Sequence, residues 1–260
     1  MSTFDRNASA RFGTPSARAE AGVIDAGLRA YMLRVYNYMA IGLVITGLVA
    51  YAAYALSVTA DPSGAVANAG SIYLTQIGYA LFVSPLKWVV FLAPLGMVFL
   101  LSARIGSVSV GTGQIMFWVF AALMGLSLSS IFLVYTHASI ARVFFISAAS
   151  FGALSLYGYT TQRSLSGMGS FLFMGLIGIV IASLVNIFLA SSALQFAISV
   201  IGVLVFAGLT AYDTQRIKEM YYAADDGTMA GRKAILGALT LYLDFINLFM
   251  MLLSLFGRRD

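Results

Sequence analysis

The sequence predicts an all-α polytopic membrane protein with seven transmembrane helices, and three observations predict it. The 260-residue chain is 60% hydrophobic and only 10% charged, with a mean hydropathy of +0.91, whereas about a quarter of the residues in soluble domains are charged. Apolar runs long enough to cross a bilayer recur along it, since about 20 helical residues span about 30 Å of hydrocarbon. Cationic residues gather in alternate connections between those runs. Strands are a poor alternative, because barrel strands alternate apolar and polar residues in short segments and these runs do not.

Residues 1–30 are polar and rich in Ala, Ser and Arg, with no apolar h-region. They read as a disordered cytoplasmic tail rather than a signal peptide, leaving 31–260 as the transmembrane domain. The first span covers about Val35 to Leu56. Asp61-Pro62, Ser63-Gly64 and Asn68 then mark a polar connection. The stretch Leu74 to Phe82 is apolar but short, either interfacial or an extension of the next span. That second span, Leu86 to Ala103, contains Pro94, which predicts a kink. Spans three, four and five run from about Gln114 to Tyr135, Ala141 to Thr160 and Gly169 to Ala190. The sixth begins near Leu194 and continues to about Tyr221, and the seventh covers Ala234 to Phe256.

Placing the N-terminus in the cytoplasm puts Arg6, Arg11, Arg18, Arg29, Arg34, Arg104, Arg163, Arg216, Lys218, Arg232 and Lys233 on that side. Only Lys87, Arg142, Arg258 and Arg259 fall on the other. The positive-inside rule therefore predicts N-in, C-out. Ala121, Gly125 and Ser129 recur every four residues, with smaller sets around Gly42 and Gly175, a spacing that lets helices pack closely.

Composition also narrows the chemistry. With no cysteine, disulfides and thiolates are excluded, and the single histidine, His137, leaves little for a His-based metal site. The glycines of GSVSVGTG lack a P-loop lysine, and no Ser/His/Asp triad or HExxH motif occurs. Neither an enzyme, a cofactor nor a nucleic-acid partner is implied. Asn186, inside the fifth span, reads as a hydrogen-bonding link between helices, and His137 as a solvated residue in a short connection.

Ionisable residues at bilayer depth point to function, and two acids qualify: Asp213 in LTAYDTQRIKEM and Asp244 in LYLDFINLFM. With helix six ending near Tyr221 and helix seven starting near Ala234, each acid sits about 14 Å from its helix end. An antiparallel hairpin then brings them to similar depth. On helix seven, Gly237, Thr240, Asp244, Asn247, Met251 and Ser254 follow at steps of three and four, a polar or small stripe suited to a hydrated interior. Two carboxylates about 4 Å apart repel by about 4 kcal/mol at an effective dielectric near 20. The pair is expected to hold one proton between them and to titrate as a unit, a latch closed when the proton is shared and loosened when both acids ionise. Arg104, at the cytoplasmic end of span two, is the candidate counter-ion of this dyad, the alternative being a simple interfacial anchor. Arg216, three residues after Asp213, is a rival partner whose surface position also suits snorkelling.

The motifs AYDTQRIKEM and LYLDFINLFMMLL resemble the Bax inhibitor-1 (transmembrane Bax inhibitor motif) family, in its bacterial branch of YccA-, YbhL- and YetJ-like proteins. The resemblance extends from about Tyr31 to Phe256. It implies six helices surrounding a central C-terminal seventh in the bacterial inner membrane. It also implies a pH-sensitive calcium leak gated by aspartates at the positions of Asp213 and Asp244, which would be the residues that meet the metal ion in transit. Arg104, in FLLSARIGS, matches the arginine that pairs with such a dyad. Some bacterial members carry an acid in span two where this chain has Leu92-Ala93-Pro94, which leaves fewer oxygen ligands for calcium. YccA-like members are further associated with the membrane protease FtsH, which implies a non-conducting regulatory role as the alternative, with the polar tail as an accessible handle.

Overall fold

The computed structural model describes residues 15–70 and 72–259. Seven long helices account for most of them: α1 (Pro15–Ser57), α2 (Leu86–Arg104), α3 (Val110–Leu128), α4 (His137–Thr160), α5 (Ser166–Leu189), α6 (Ser192–Glu219) and α7 (Gly227–Phe256). Each contains a stretch long and apolar enough to cross a membrane. The expected tail falls partly outside the described residues, which begin at 15. From Pro15 the backbone is already helical and runs without a break into the first span. The helix-forming Ala, Glu, Arg and Leu of this segment favour that conformation.

The connection after α1 is also more ordered than its polarity suggests. Strands β1 (Val58–Thr59), β2 (Ala67–Ala69) and β3 (Ile72–Leu74) form a small antiparallel sheet in the order β1-β3-β2. Asp61 caps the intervening turn through Ser63, at 2.8 Å to its backbone N and 2.7 Å to its Oγ. These hydrogen bonds hold the fully exposed Asp61 carboxyl below the usual carboxylate range. The apolar stretch after it is a separate helical turn, Gln76 to Val83, set off from α2 by Ser84 and Pro85. It is therefore not an extension of the second span.

Helix α7 is the axis of the bundle. Two-thirds (67%) of its most apolar window is buried, against 11% for α2 and for α5. It packs directly on α1, α3, α4 and α6, with α2 lying outside α3 and α5 outside α6. Around α7, helices α2, α3 and α1 pack in succession on one side and α4, α6 and α5 on the other, with no substantial contact between α5 and α2 or between α1 and α4. Phe145, Phe171, Ile187 and Phe188 on the outer helices stay largely exposed. In water such a surface would drive association; in a bilayer it faces acyl chains.

Close packing rests on small residues, as the four-residue spacing predicts. Ala121, Gly125 and Ser129 are all buried, and a Cβ on Gly125 would stand 2.6 Å from the Thr46 carbonyl oxygen of α1. The same approach lets Thr46 Oγ1 donate to Ala121 O at 2.8 Å and meet the Tyr242 hydroxyl at 2.6 Å. Tyr242 is fully buried, its ring edge-on to Phe117 and Phe120. These stripes join helices of one chain.

Candidate functional site

Asp213 on α6 and Asp244 on α7 face each other across the antiparallel pair formed by these two packed helices. Their side chains lie within hydrogen-bonding reach, and they are 9% and 5% exposed. Asp244 Oδ2 is buried and has no hydrogen-bond partner among the described residues. Ionised carboxylates only accept hydrogen bonds, so contact between two of them requires a proton on one.

The pairing expected from sequence is present, but the helix ends that suggested it are not. α6 ends at Glu219 and α7 begins at Gly227, well before Ala234, so the acids lie at unequal distances from their helix ends. The early turns of α7, GTMAGRK, read as loop because they are polar and glycine-bearing. They are helical because Asp226 caps them through Met229 N at 2.6 Å. Their basic side chains then tie down the neighbouring loops. Arg232 donates to Val108 O at 3.1 and 2.7 Å, and Lys233 bridges Met220 O at 3.0 Å and the Asp225 carboxylate at 2.5 Å.

A cavity of about 530 Å³ opens beside the acids between α5, α6 and α7, lined by Asp213, Arg216, Thr240, Asp244 and Asn247 among others. It lies where α5 borders α7 without packing on it. Thr240 Oγ1 donates to Leu236 O at 3.1 Å, and Asn247 Nδ2 donates to Leu243 O at 2.8 Å. Both donors satisfy their own helix and leave oxygen acceptors for the cavity. Arg216 is the cation at this site. Arg104 is exposed at the end of α2, a helix that packs principally on α3, and it forms no ion pair among the described residues. The structure therefore does not bring Arg104 to the dyad, because α2 stands one helix too far from it.

The polar stripe of α7 divides into parts. Gly237 is packed against Ile217 and Val35. Thr240, Asp244 and Asn247 line the cavity just described. Ser254 belongs to a second cavity of about 410 Å³ at the far end, lined also by Asn186, Gln195 and Arg259. There Ser199 Oγ donates to Ser254 Oγ at 2.9 Å, Gln195 Nε2 to Ser254 Oγ at 3.3 Å, and Asn186 Nδ2 to Gln195 Oε1 at 3.2 Å. Asn186 thus links α5 to α6, as its position inside an apolar helix suggests. Between the two cavities Met251 seats against Gly202, where a Cβ would stand 2.6 Å from the methionine sulfur. The notch and the thioether together fill the seam.

Sequence patterns did not reveal a hydroxyl chain across α1, α4 and α6. Tyr36 OH meets Ser155 Oγ at 2.6 Å, Ser155 meets Thr214 Oγ1 at 2.9 Å, and Thr214 donates to Thr210 O at 2.7 Å. Serine and threonine are ordinary in spans, and only the packing singles these out. His137 opens α4 with its ring 5.3 Å from Tyr54 and 5.4 Å from Phe132. Among the described residues no group of three or more His, Cys, Asp or Glu side chains gathers to hold a metal.

The model of the family described as "Inhibitor of apoptosis-promoting Bax1" matches residues 28–260. The chain is 50% identical over 236 residues to the inner membrane protein YbhL of Escherichia coli K12, covering 90% of this chain and 94% of that one. It is 48% identical over 235 residues to the protein RP147 of Rickettsia prowazekii, covering 90% and 92%. Identity to a Caulobacter vibrioides protein is 46% over 245 residues, covering 94% of each.

Proposed function

The chain belongs to the Bax inhibitor-1 family, and from that premise we propose that it is a passive, proton-regulated cation pathway with calcium as the transported ion. The observation that carries this reading is the meeting of Asp213 and Asp244 beside a cavity, with Asp244 Oδ2 buried and without a hydrogen-bond partner among the described residues. One shared proton satisfies that contact and holds α6 to α7. Loss of the proton leaves two like charges, a repulsion of about 4 kcal/mol at 4 Å and an effective dielectric near 20, which loosens the pair. The sign follows: the proton-bound latch is closed at lower pH and opens as pH rises. An ionised pair supplies up to four carboxylate oxygens, with Thr240 and Asn247 adding more. A hard cation wants six to eight, so water completes the shell and the site is one of transit rather than storage. Met251 in its notch is the barrier such an ion must pass.

By the positive-inside rule, Arg216, Arg232 and Lys233 put the joined end of α6 and α7 in the cytoplasm. The likeness to YbhL, an inner membrane protein, supports the same location for this chain. Calcium flux into liposomes carrying the protein, followed across the neutral pH range, tests the reading. Asp213→Asn and Asp244→Asn should each abolish the pH response. Unchanged flux and pH response in both would reject the gate.

The second reading, a non-conducting regulator of stress responses or of the protease FtsH, draws on the polar segment ahead of the first span. It requires that deleting residues before Ala26 removes the cellular effect while both Asp→Asn variants keep it.

A further inference from the structure

A third cavity, about 650 Å³, lies between α1 and α4 and shares no lining residue with the aspartate site. Its body is apolar, walled by Met32, Leu33, Phe151 and Leu156. Leu33 and Leu156 are also more than half exposed, so the crevice opens sideways toward the bilayer. Gly152 forms part of its wall, and nothing lies within 4 Å of where a Cβ would stand there. The polar groups inside are already satisfied, since Tyr36 OH and Ser155 Oγ bond to each other at 2.6 Å.

One end is cationic. Arg29 lines the cavity and is exposed, two helical turns before Tyr36. Tyr159, on the opposite wall, carries Lys218, which donates Nζ to its carbonyl oxygen at 2.8 Å and stands 5.7 Å from its ring centroid. An open apolar slot whose one lining cation, Arg29, stands at the membrane surface matches one kind of molecule. That molecule has a hydrocarbon chain and an anionic head. Basic pockets between membrane helices recognise lipid phosphates in this way, and a guanidinium suits phosphate by its paired N–H donors.

We propose that the α1–α4 crevice is a binding site for an anionic phospholipid, with one acyl chain against Met32, Phe151, Leu156 and Gly152 and the phosphate on Arg29. Occupancy bears on the rest of the molecule through the crevice's own wall. Ser155 meets Thr214 Oγ1 at 2.9 Å, and Thr214 follows Asp213 on α6, so a lipid that props α1 against α4 also braces the helix of the dyad.

Native mass spectrometry of the purified protein, titrated with phosphatidylglycerol or with phosphatidylcholine of the same chains, tests the site. Phosphatidylglycerol should bind about five-fold more tightly or better, the preference expected of a single basic group near a membrane surface. Arg29→Gln should bring it down to the phosphatidylcholine level. Gly152→Leu should weaken both lipids, and Gly152→Ala, which adds one methyl to open space, should fall between it and the parent chain. Lys87→Gln, on a residue outside the crevice, should change nothing. Phosphatidylglycerol binding that survives both Arg29→Gln and Gly152→Leu overturns the proposal, as does equal affinity for the two lipids. Displacement of the lipid by inorganic phosphate at millimolar level would also overturn it, revealing a simple anion site.

Discussion

Replacing Met251 by alanine should join the two cavities that flank it. Met251 is half-buried and stands between a cavity of about 530 Å³ on the aspartate side and one of about 410 Å³ at the far end. A Cβ placed on Gly202 comes 2.6 Å from its sulfur, so the thioether fills the helix interface at that level. Truncating a fully buried methionine costs about 2–5 kcal/mol, and the half-buried position scales this to about 1–2 kcal/mol, small enough for the fold to survive. The native chain has no cysteine, so Asn247→Cys and Ser254→Cys each supply a single reporter, one below the barrier and one above. In sealed vesicles an impermeant thiol reagent should reach residue 247 from the joined end only, and residue 254 from the far end only. Adding Met251→Ala should let each be modified from both sides. Unchanged sidedness after truncation, or two-sided reaction with Met251 intact, would refute the assignment of the barrier.

Two further outcomes concern packing. Gly158→Ala places a methyl against the Ala211 carbonyl oxygen; the α4–α6 contact should weaken by about 1–3 kcal/mol. Gly47→Ala, with open space around it, should leave the thermal midpoint in detergent unchanged. Thr46→Val strips the buried Tyr242 hydroxyl of its partner and should cost about 1–3 kcal/mol. Adding Tyr242→Phe should recover much of that loss, as a double-mutant cycle of unfolding midpoints would show.

The parts of the molecule legible in the sequence are those set by hydrocarbon. Seven apolar runs gave seven helices because a span must satisfy its backbone internally. An acid inside LYLDFINLFM had to find a partner for the same reason, and Asp213 is that partner. Boundaries set by local hydrogen bonds were harder to see. The start of α7 depends on the Asp226 cap and on where Arg232 and Lys233 find acceptors, and its glycines and charges imitate a loop. Arg104 reads from the sequence as a counter-ion or an interfacial anchor, because a span's sequence tells that it crosses, not which neighbour it packs against. α2 leans on α3, outside the ring that touches α7, and Arg216, already on α6, stands at the dyad instead. The Met251–Gly202 seat was half visible, as a methionine on a polar stripe, but the facing glycine lies in another helix.

The proposed gate depends on one proton held between Asp213 and Asp244. Infrared difference spectroscopy of the carboxyl C=O stretch reads it directly, in the reconstituted protein titrated through neutral pH. The band of a protonated, hydrogen-bonded carboxyl should be present in the closed state, fade as pH rises in step with ion flux, and be absent from the Asp213→Asn/Asp244→Asn double variant. A parent chain with no such band in the closed state, or a band that persists in the double variant, would contradict it.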